Sequence, residues 1–355
     1  MERRWVIKVG SALLTEESGL LRLPFIQQLV EQIVSLKREG ISPLLVSSGA
    51  VAAGKGALSL QKKKSCIQTK QVFSAVGQVV LMEQYRRNFS HLRESCAQIL
   101  VTKEDFRGRD HYLHVRDCLE ALLHYGVIPV LNENDAISIE GLMFTDNDEL
   151  AGWVASMMCV EKLVLLTNVP GLLNAKGECI KEVLPDLPLK EECSFLQNSS
   201  QGRGGMHTKY SVGVKMARLG IQTHICHGLK EGILLKLLCN EEKVGTRFIP
   251  RRELSSIKRW MAHEGGKQEA AVRIDRGAER ALLSREFAHS LLPVGIREVV
   301  GSFKGGDLIM IQNDREESFA LGKARYSAEK LRTYLGQKGA PLFVHYDYLY
   351  FLEGK

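Results

Sequence analysis

Short apolar segments alternate with helical segments through the first 250 residues of this chain. The apolar segments lie at residues 5–10, 42–47, 98–102, 127–132, 162–167 and 221–226, and they read WVIKVG, SPLLVS, QILVT, VIPVLN, KLVLLT and IQTHIC. Strands that are apolar at nearly every position are typical of a parallel sheet whose two faces are both covered by helices. The pattern therefore predicts an α/β fold with a mostly parallel sheet sandwiched by helices.

The alternation stops near residue 250, and a different pattern follows. Residues 251–268 are polar and charged and contain a Gly-Gly pair, which is typical of a linker. Beyond them, short strand-like segments such as DLIMIQ and PLFVHY are separated by turns. We therefore predict an α/β domain at residues 1–250, a linker at 251–268 and a small β-rich domain at 269–355.

Composition and charge narrow the class of protein. The formal net charge is +7, with an excess of +3 for residues 1–250 and +4 for residues 251–355. Neither part has the concentrated positive charge of a nucleic-acid-binding protein, so the charge argues against a nucleic-acid partner. No apolar stretch approaches the roughly 18 residues that a membrane helix needs, and the start of the chain lacks a signal-peptide pattern. We therefore predict a cytoplasmic protein that does not contact a membrane.

The eight cysteines are scattered singly, without a CxxC pair, and this is typical of reduced thiols. His224, Cys226 and His227 form the one cluster that resembles a metal site. Metal sites in proteins take three or four ligands, and only His224 and Cys226 would share a face of a strand. We therefore predict a strand that ends in a loop, and no metal site of the protein itself.

The loops that follow the apolar segments are polar and rich in glycine. They are Lys8-Val9-Gly10-Ser11, Ser47-Ser48-Gly49-Ala50, the acidic and amide-rich residues 132–149, Thr167-Asn168-Val169-Pro170-Gly171, and GRGGMHTK at 202–209. In an open parallel sheet such loops meet at one crevice. Glycines at the start of a helix let backbone N–H groups approach a phosphate, and Lys8 and Lys209 add positive charge. The set indicates phosphoryl transfer.

Six segments that contain these loops resemble, in their order along the chain, the motifs of the amino acid kinase family: KVGSALLT, LLVSSGAVAAG, VIPVLNENDA, FTDNDELA, LVLLTNVPGL and GRGGMHTK. The resemblance is to the branch that phosphorylates the γ-carboxylate of L-glutamate with ATP, the first step of proline biosynthesis. In the C-terminal part, IDRGAERALL, SLLPVGIREVVGSFKGGDLI and ALGKARYSAEKL resemble a PUA domain. Many bacterial members of this branch carry such a domain.

The resemblance implies roles for the residues that match the family's motifs. Lys8 and Lys209 would contact the transferring phosphoryl group, and Asp148 would hold the two lysines in place. Ser48, Asp135 and Asn147 would bind glutamate. The residues that would bind ATP are Lys8, Thr167, Asn168, Arg203, Gly204, Gly205, Met206, His207, Thr208 and Lys209. The resemblance also implies a homo-oligomer and feedback inhibition by proline.

The chemistry of this reaction needs few special groups. A side-chain carboxylate with a pKa near ~4.3 is ionised at neutral pH, so the nucleophile needs no general base. Repulsion between the carboxylate and the phosphates is offset by the lysines, backbone N–H groups and the Mg²⁺ that accompanies ATP. Two positions depart from the family's pattern. Asn168 stands where Asp is frequent, and Arg203 stands where a small or hydroxyl residue is usual, so that it either contacts a phosphate or points to solvent.

Three other functions are compatible with parts of the sequence. Another kinase of the same fold, such as an acetylglutamate kinase or a uridylate kinase, would lack the C-terminal domain. An RNA-binding or RNA-modifying protein could carry a PUA domain, but it would need a more basic surface. A regulatory protein that binds the amino acid and the nucleotide without turnover would not need Lys8, Asp148 and Lys209 together.

Overall fold

The computed structural model divides the chain into two compact units, Met1–Glu253 and Leu254–Lys355. The predicted linker at 251–268 lies almost entirely outside the residues that the structure describes. The described residues are 3–16, 18–58, 67–106, 109–137, 144, 146–185, 205–239, 244–251, 261, 268, 270–283, 289–337 and 339–352.

The described residues of the first unit form a sheet of eight strands in the order β3-β4-β2-β1-β5-β7-β8-β6. The strands are β1 (Arg3–Val9), β2 (Ile41–Ser47), β3 (Cys96–Val101), β4 (Ile128–Glu133), β5 (Lys162–Thr167), β6 (Glu182–Val183), β7 (Gln222–His227) and β8 (Thr246–Phe248). Neighbouring strands pair in parallel, and only β7 and β8 run antiparallel to each other. The predicted mostly parallel sheet is therefore confirmed.

Helices connect and cover these strands. They are α1 (Ser11–Leu14), α2 (Leu23–Arg38), α3 (Ala50–Ala57), α4 (Ile67–His91), α5 (Arg109–His124), α6 (Asn147–Met157), α7 (Met206–Arg218) and α8 (Ile233–Leu238). Helix α2 shows how the sequence selects such an element, because Phe25, Leu29 and Ile33 recur every four residues and are all buried in one core cluster. Pro24 lies in its first turn, where the missing N–H group has no intrahelical partner to lose.

Helix α4 is in unusually close contact with α3. A Cβ atom added at Gly54 would lie 1.9 Å from the carbonyl oxygen of Phe73, and one added at Gly77 would lie 1.8 Å from that of Ala50. Both obstacles are backbone atoms, which cannot rotate away as a side chain can. Only glycine therefore allows the two helices to pack at this distance, and α4 is held against the loop that follows β2.

The second unit is a small β-rich fold, as the sequence predicts. Its five described strands are β9 (Ala271–Ile274), β10 (Ile296–Val300), β11 (Leu308–Gln312), β12 (Ser318–Lys323) and β13 (Leu349–Phe351), in the order β10-β9-β11-β12-β13. Helices α9 (Arg276–Leu283) and α10 (Ala328–Tyr334) accompany them. Val272, Ile309, Ile311 and Phe343 are fully buried in its core.

Neither unit contains, within the described ranges, a helix with the length and apolar character required to cross a membrane.

Candidate active site

The carboxyl ends of the central strands bring the predicted polar residues together. Lys8 lies near the end of β1 and is in register with Val46 of β2 on one side and with Leu165 of β5 on the other. Helix α6 contacts β1, β2, β4 and β5. The N-terminus of α6 carries Asn147 and Asp148. These residues therefore meet at one end of the sheet, as expected for parallel strands, and we call this place the crevice.

Lys8, Asp148 and Lys209 form a buried cluster in this crevice. The Nζ of Lys8 lies 2.5 Å from Oδ1 of Asp148, and the Nζ of Lys209 donates to Oδ2 of the same carboxylate at 2.8 Å. Their exposed fractions are 5%, 0% and 8% for Lys8, Asp148 and Lys209. Residues from β1 and from the first turns of α6 and α7 thus meet at one carboxylate, although 200 residues lie between Lys8 and Lys209 in the sequence.

The charge state of Asp148 follows from its neighbours. Burial alone would raise the pKa of this carboxyl, but the ammonium groups of Lys8 and Lys209 lower the pKa below its ordinary value. Asp148 is therefore ionised at neutral pH and sits between two positive charges. The cluster has an excess positive charge in a site that water hardly reaches, which is suited to binding an anion.

Two helices begin beside this cluster and differ in how their first N–H groups are satisfied. At α6, Oδ1 of Asp146 accepts from the backbone N–H groups of Asp148 and Glu149, at 2.9 and 3.1 Å. At α7, the capping residue is Gly205, and no side chain among the described residues caps that end. The N-terminus of a helix favours the binding of phosphate oxygens, through its first N–H groups and through the helix dipole.

The residues predicted to bind ATP lie partly in this helix. Met206, His207, Thr208 and Lys209 form the first turn of α7 after Gly205. Arg203 and Gly204 lie outside the described residues, so the two possible roles of Arg203 stay predictions. Thr167 and Asn168 lie at the end of β5. Thr167 is buried and its carbonyl accepts from Gly228 N–H at 2.8 Å, whereas the Asn168 side chain is exposed.

Asn147, which is predicted to bind the substrate glutamate, is hydrogen-bonded to the ends of two strands. Its Nδ2 donates to the carbonyl oxygen of Ser47 at 3.1 Å, to Oγ of Ser48 at 3.0 Å and to Oδ1 of Asn132 at 2.8 Å. Its own Oδ1 is buried and accepts no hydrogen bond from the part of the chain that the structure describes. Such an oxygen is costly to bury unless a ligand donates to it.

Asp135, the third residue predicted to bind the substrate glutamate, has different neighbours. Its Oδ2 accepts from Oγ of Ser74 on α4 at 3.4 Å. Burial raises the pKa of Asp135, while Ser74 and Lys70 act in the opposite direction. The structure therefore places Asp135 against α4, with a hydrogen-bond partner different from those of Asn147.

Four further polar residues lie here that the sequence did not single out: Gln78, and, within the predicted acidic stretch 132–149, Asn132, Glu133 and Asp146. Asn132 and Glu133 end β4, and both are buried. A polar residue at the carboxyl end of an apolar strand is a signal that could have identified them. Asp146 could have been identified as a helix cap, because Asp before a helical segment favours that position. No sequence signal marks Gln78, which comes from the middle of α4.

Two of these carboxyl groups titrate well above their ordinary range. Burial, followed by repulsion from Asp148, raises the pKa of Asp146 to about 6. Its Oδ2 is buried without a hydrogen-bond partner among the described residues. Burial also raises the pKa of Glu133 to about 7, although Oε1 of Glu133 accepts from Phe144 N–H at 2.9 Å.

His224 is in register with Val164 in the middle of β5, whereas His227 is in register with Thr167 at the end of that strand. Burial, together with the charges of Lys162 and Arg247, lowers the pKa of His224 to about 3, so the imidazole is neutral. Within the described ranges, no group of three or more His, Cys, Asp or Glu side chains could hold a metal ion.

Both units match known families. The family model of the amino acid kinase family matches residues 3–227. The model of the PUA domain matches residues 270–342. The first match covers more than half of the chain.

Similarity to individual proteins extends over nearly the whole chain. A glutamate 5-kinase of Chlorobaculum tepidum is 43% identical over 98% of this chain and 97% of the relative. One of Bacteroides thetaiotaomicron is 40% identical over 98% of both chains. One of Pelobacter propionicus is 35% identical over 98% of this chain and 94% of the relative.

Proposed function

The chain belongs to the amino acid kinase family and, within it, to the glutamate 5-kinases, and from this premise we propose how its own residues transfer a phosphoryl group from ATP to the γ-carboxylate of glutamate. The observation that carries the proposal is the buried cluster of Lys8, Asp148 and Lys209 where β1, α6 and α7 meet. Two ammonium groups on one carboxylate leave a positive charge for the anionic phosphates.

The nucleophile and the phosphoryl group are both anionic, so repulsion is the main barrier to their approach. The γ-carboxylate of glutamate is ionised at neutral pH and attacks the γ-phosphorus of ATP without a general base. The new O–P bond forms as the bond from the γ-phosphorus to the bridging oxygen breaks, and ADP leaves with the electron pair of that bond. Lys8 and Lys209 stabilise the negative charge that spreads over the phosphoryl oxygens in the transition state. Asp148 keeps both ammonium groups in place without a proton of its own, because its pKa is lowered.

Magnesium enters this proposal as part of the substrate, Mg·ATP. Both oxygens of Asp148 are already engaged by lysines, and no cluster of three acidic or imidazole groups stands ready for a metal among the described residues. A Mg²⁺ ion bound to phosphates keeps several of its waters and needs few protein ligands. The ion would neutralise phosphate charge alongside the two lysines.

The α-ammonium group of glutamate would be recognised by two buried oxygens. These are Oδ1 of Asn147 and Oδ2 of Asp146, which lack hydrogen-bond donors among the described residues. An ammonium group has three donors and a positive charge, so it satisfies an amide oxygen and a carboxylate together. Ser48 and Asp135 would complete the site, as the family resemblance implies.

A substrate panel tests this function. ATP consumption is expected with L-glutamate and to be at least about 10⁴-fold lower in kcat/KM with N-acetylglutamate, which lacks the ammonium group. Aspartate and UMP are also expected to be poor substrates, because aspartate is one methylene shorter and UMP has no ammonium group. Turnover of N-acetylglutamate comparable to that of glutamate would contradict the ammonium site while leaving the kinase assignment in place.

Glutamate binding is expected to weaken as the pH falls through about 6. The pKa of Asp146 is raised to about 6, so its carboxylate is lost by protonation below that value. The bound ammonium favours the ionised form, and therefore KM for glutamate should rise on acidification while KM for ATP changes little. The measurement is KM for both substrates from about pH 5 to about pH 8.

Asp146→Asn is the matched variant for this pH profile. Its amide oxygen can still cap α6, but the side chain no longer titrates. We expect a raised KM for glutamate at all pH values and no step near pH 6. If the step persists in this variant, it belongs to another group such as Glu133, whose pKa is raised to about 7.

Three further properties are proposals that the resemblance supports. Proline carries an ammonium and a carboxylate as glutamate does, so we propose that it inhibits by binding to the same groups. A homo-oligomer would use apolar surface, and Val72 and Val79 on α4 are exposed in the first unit. The cytoplasmic location also stays a prediction.

A further inference from the structure

A chain of side-chain amides connects α4 to the substrate crevice. Nδ2 of Asn132 donates to Oε1 of Gln78 at 2.9 Å, and Oδ1 of Asn132 accepts from Nδ2 of Asn147 at 2.8 Å. Gln78 is 7% exposed and Asn132 is 2% exposed. The chain therefore runs from a helix, through the buried end of β4, to the half-buried first residue of α6.

The orientation of the middle amide is determined by the backbone. Oδ1 of Asn132 also accepts from Glu133 N–H at 2.9 Å, and this donor cannot be exchanged for an acceptor. The amide oxygen must therefore face Glu133, and Nδ2 must face α4. Gln78 is then required to present an oxygen, since an NH₂ group at this place would oppose another donor.

The orientation of the last amide is determined in the same way. The carbonyl oxygen of Ser47 can only accept, so the group of Asn147 that faces it at 3.1 Å must be Nδ2. Oδ1 of Asn147 consequently points away from Ser47, Ser48 and Asn132. This is the buried oxygen that receives no hydrogen bond from the described residues.

We propose that Gln78 is a positioning residue for substrate binding. Its Oε1 holds Asn132, and Asn132 in turn holds Asn147 with its oxygen directed at the α-ammonium group of the amino acid. This inference rests on the proposed function, because it assumes that Asn147 accepts from the substrate ammonium. Gln78 acts through two other amides and itself touches no reacting atom.

The position of Gln78 is rigid because of the residue before it. Gly77 brings α4 into contact with the backbone of Ala50, so α4 packs directly on the backbone of α3 with no side chain between them. An acceptor on a fixed helix can select one orientation of Asn132, whereas an acceptor on a mobile loop would adapt to either. The close packing of α3 and α4 thus contributes to substrate recognition.

The test compares three variants of the full chain. Gln78→Leu removes the acceptor and is expected to raise KM for glutamate about tenfold, because a buried donor of Asn132 loses its partner. Gln78→Glu keeps an oxygen facing Asn132 whether its carboxyl is ionised or protonated, and it is expected to retain KM within about threefold of wild type. Gln84→Leu, the same change elsewhere on α4, is the control and should leave both KM values unchanged. KM for ATP is expected to stay constant in all three.

Combination with Asn147→Ala separates this inference from the proposed function. Asn147→Ala should raise KM for glutamate, and adding Gln78→Leu should raise it no further, because the two residues act on one contact. If Asn147→Ala has no effect, the proposed ammonium site is wrong. If Asn147→Ala raises KM for glutamate as expected, three results would overturn only the role of Gln78. Gln78→Leu could leave KM for glutamate unchanged, it could raise KM for glutamate and KM for ATP equally, or Gln78→Glu could raise KM for glutamate as much as Gln78→Leu does.

Discussion

Lys8→Met and Lys209→Met are each expected to lower kcat about 10²–10³-fold, with a much smaller change in KM for glutamate. Methionine keeps most of the side chain's length and removes the charge. Both ammonium groups lie within hydrogen-bond distance of Asp148 in a buried site, where a positive charge acts strongly on developing negative charge. The loss should therefore fall on the transition state more than on binding of the amino acid.

Lys162→Met is the matched control for these two variants. Lys162 is a buried lysine at the beginning of β5, and its Nζ donates to the carbonyl oxygen of Leu237 at 3.0 Å. It lies at the opposite end of the sheet from the crevice, so its loss should affect stability and leave kcat near that of wild type. Near-normal kcat in either Lys8→Met or Lys209→Met would remove that lysine from the mechanism.

The sequence could indicate candidate residues that lie close to the end of a strand or to the start of a helix. Lys8 follows a run of apolar residues that can only be a buried strand, and Lys209 follows glycines at the start of a helix. Asp148 opens the helix after the acidic stretch. In each case local sequence defines the element and its end, and the geometry of parallel sheets then brings the ends together. The ion pairs among the three residues follow from that convergence.

Helix α4 shows why another part of the site could not be predicted. Its buried residues lie on one stripe along the helix, but the first part of that stripe is small or polar, at Ser74, Gly77 and Gln78, while the apolar Val72 and Val79 are exposed. Without a clear period of apolar residues, the sequence does not indicate the face that carries Ser74 and Gln78. Their contacts with Asp135 and Asn132 depend on the packing of α3 and α4, which involves residues distant in sequence.

The order of the strands in the sheet could not be predicted from the sequence either. An alternation of strands and helices is compatible with many orders, and the observed one places β1 in the middle of the sheet between β2 and β5. This order is what puts Lys8 beside Asp148. The antiparallel strand β8 and the two-residue strand β6 carry too few residues to be recognised from their pattern.

Asp148→Asn is expected to have the largest effect on the protein as a whole, lowering both turnover and stability. The substitution replaces the carboxylate that both buried ammonium groups contact with a neutral amide, so less negative charge remains to balance the two lysines. Removing one partner of a buried ion pair typically costs about 3–5 kcal/mol of unfolding free energy, since the charge left behind is no longer compensated. Turnover should fall at least as far as in the lysine variants, because neither lysine then keeps its position.

The pH dependence of the unfolding free energy provides an independent measurement. The pKa of Asp148 is lowered in the folded protein, so its contribution to stability is fully present above the unfolded pKa of about 4 and is lost as the pH falls through the lower folded value. Urea unfolding of wild type and Asp148→Asn should therefore differ by a constant amount at neutral pH and converge in acid.

A second substitution distinguishes loss of charge balance from loss of packing. Lys8→Met combined with Asp148→Asn leaves one buried ammonium group in place of two, so it should recover part of the unfolding free energy that Asp148→Asn loses. It should recover no turnover, because the transition state still lacks Lys8. If the double variant is less stable than Asp148→Asn alone, repulsion between the lysines is not the cause of the loss, and Asp148 would then stabilise the site through its hydrogen bonds rather than through its charge.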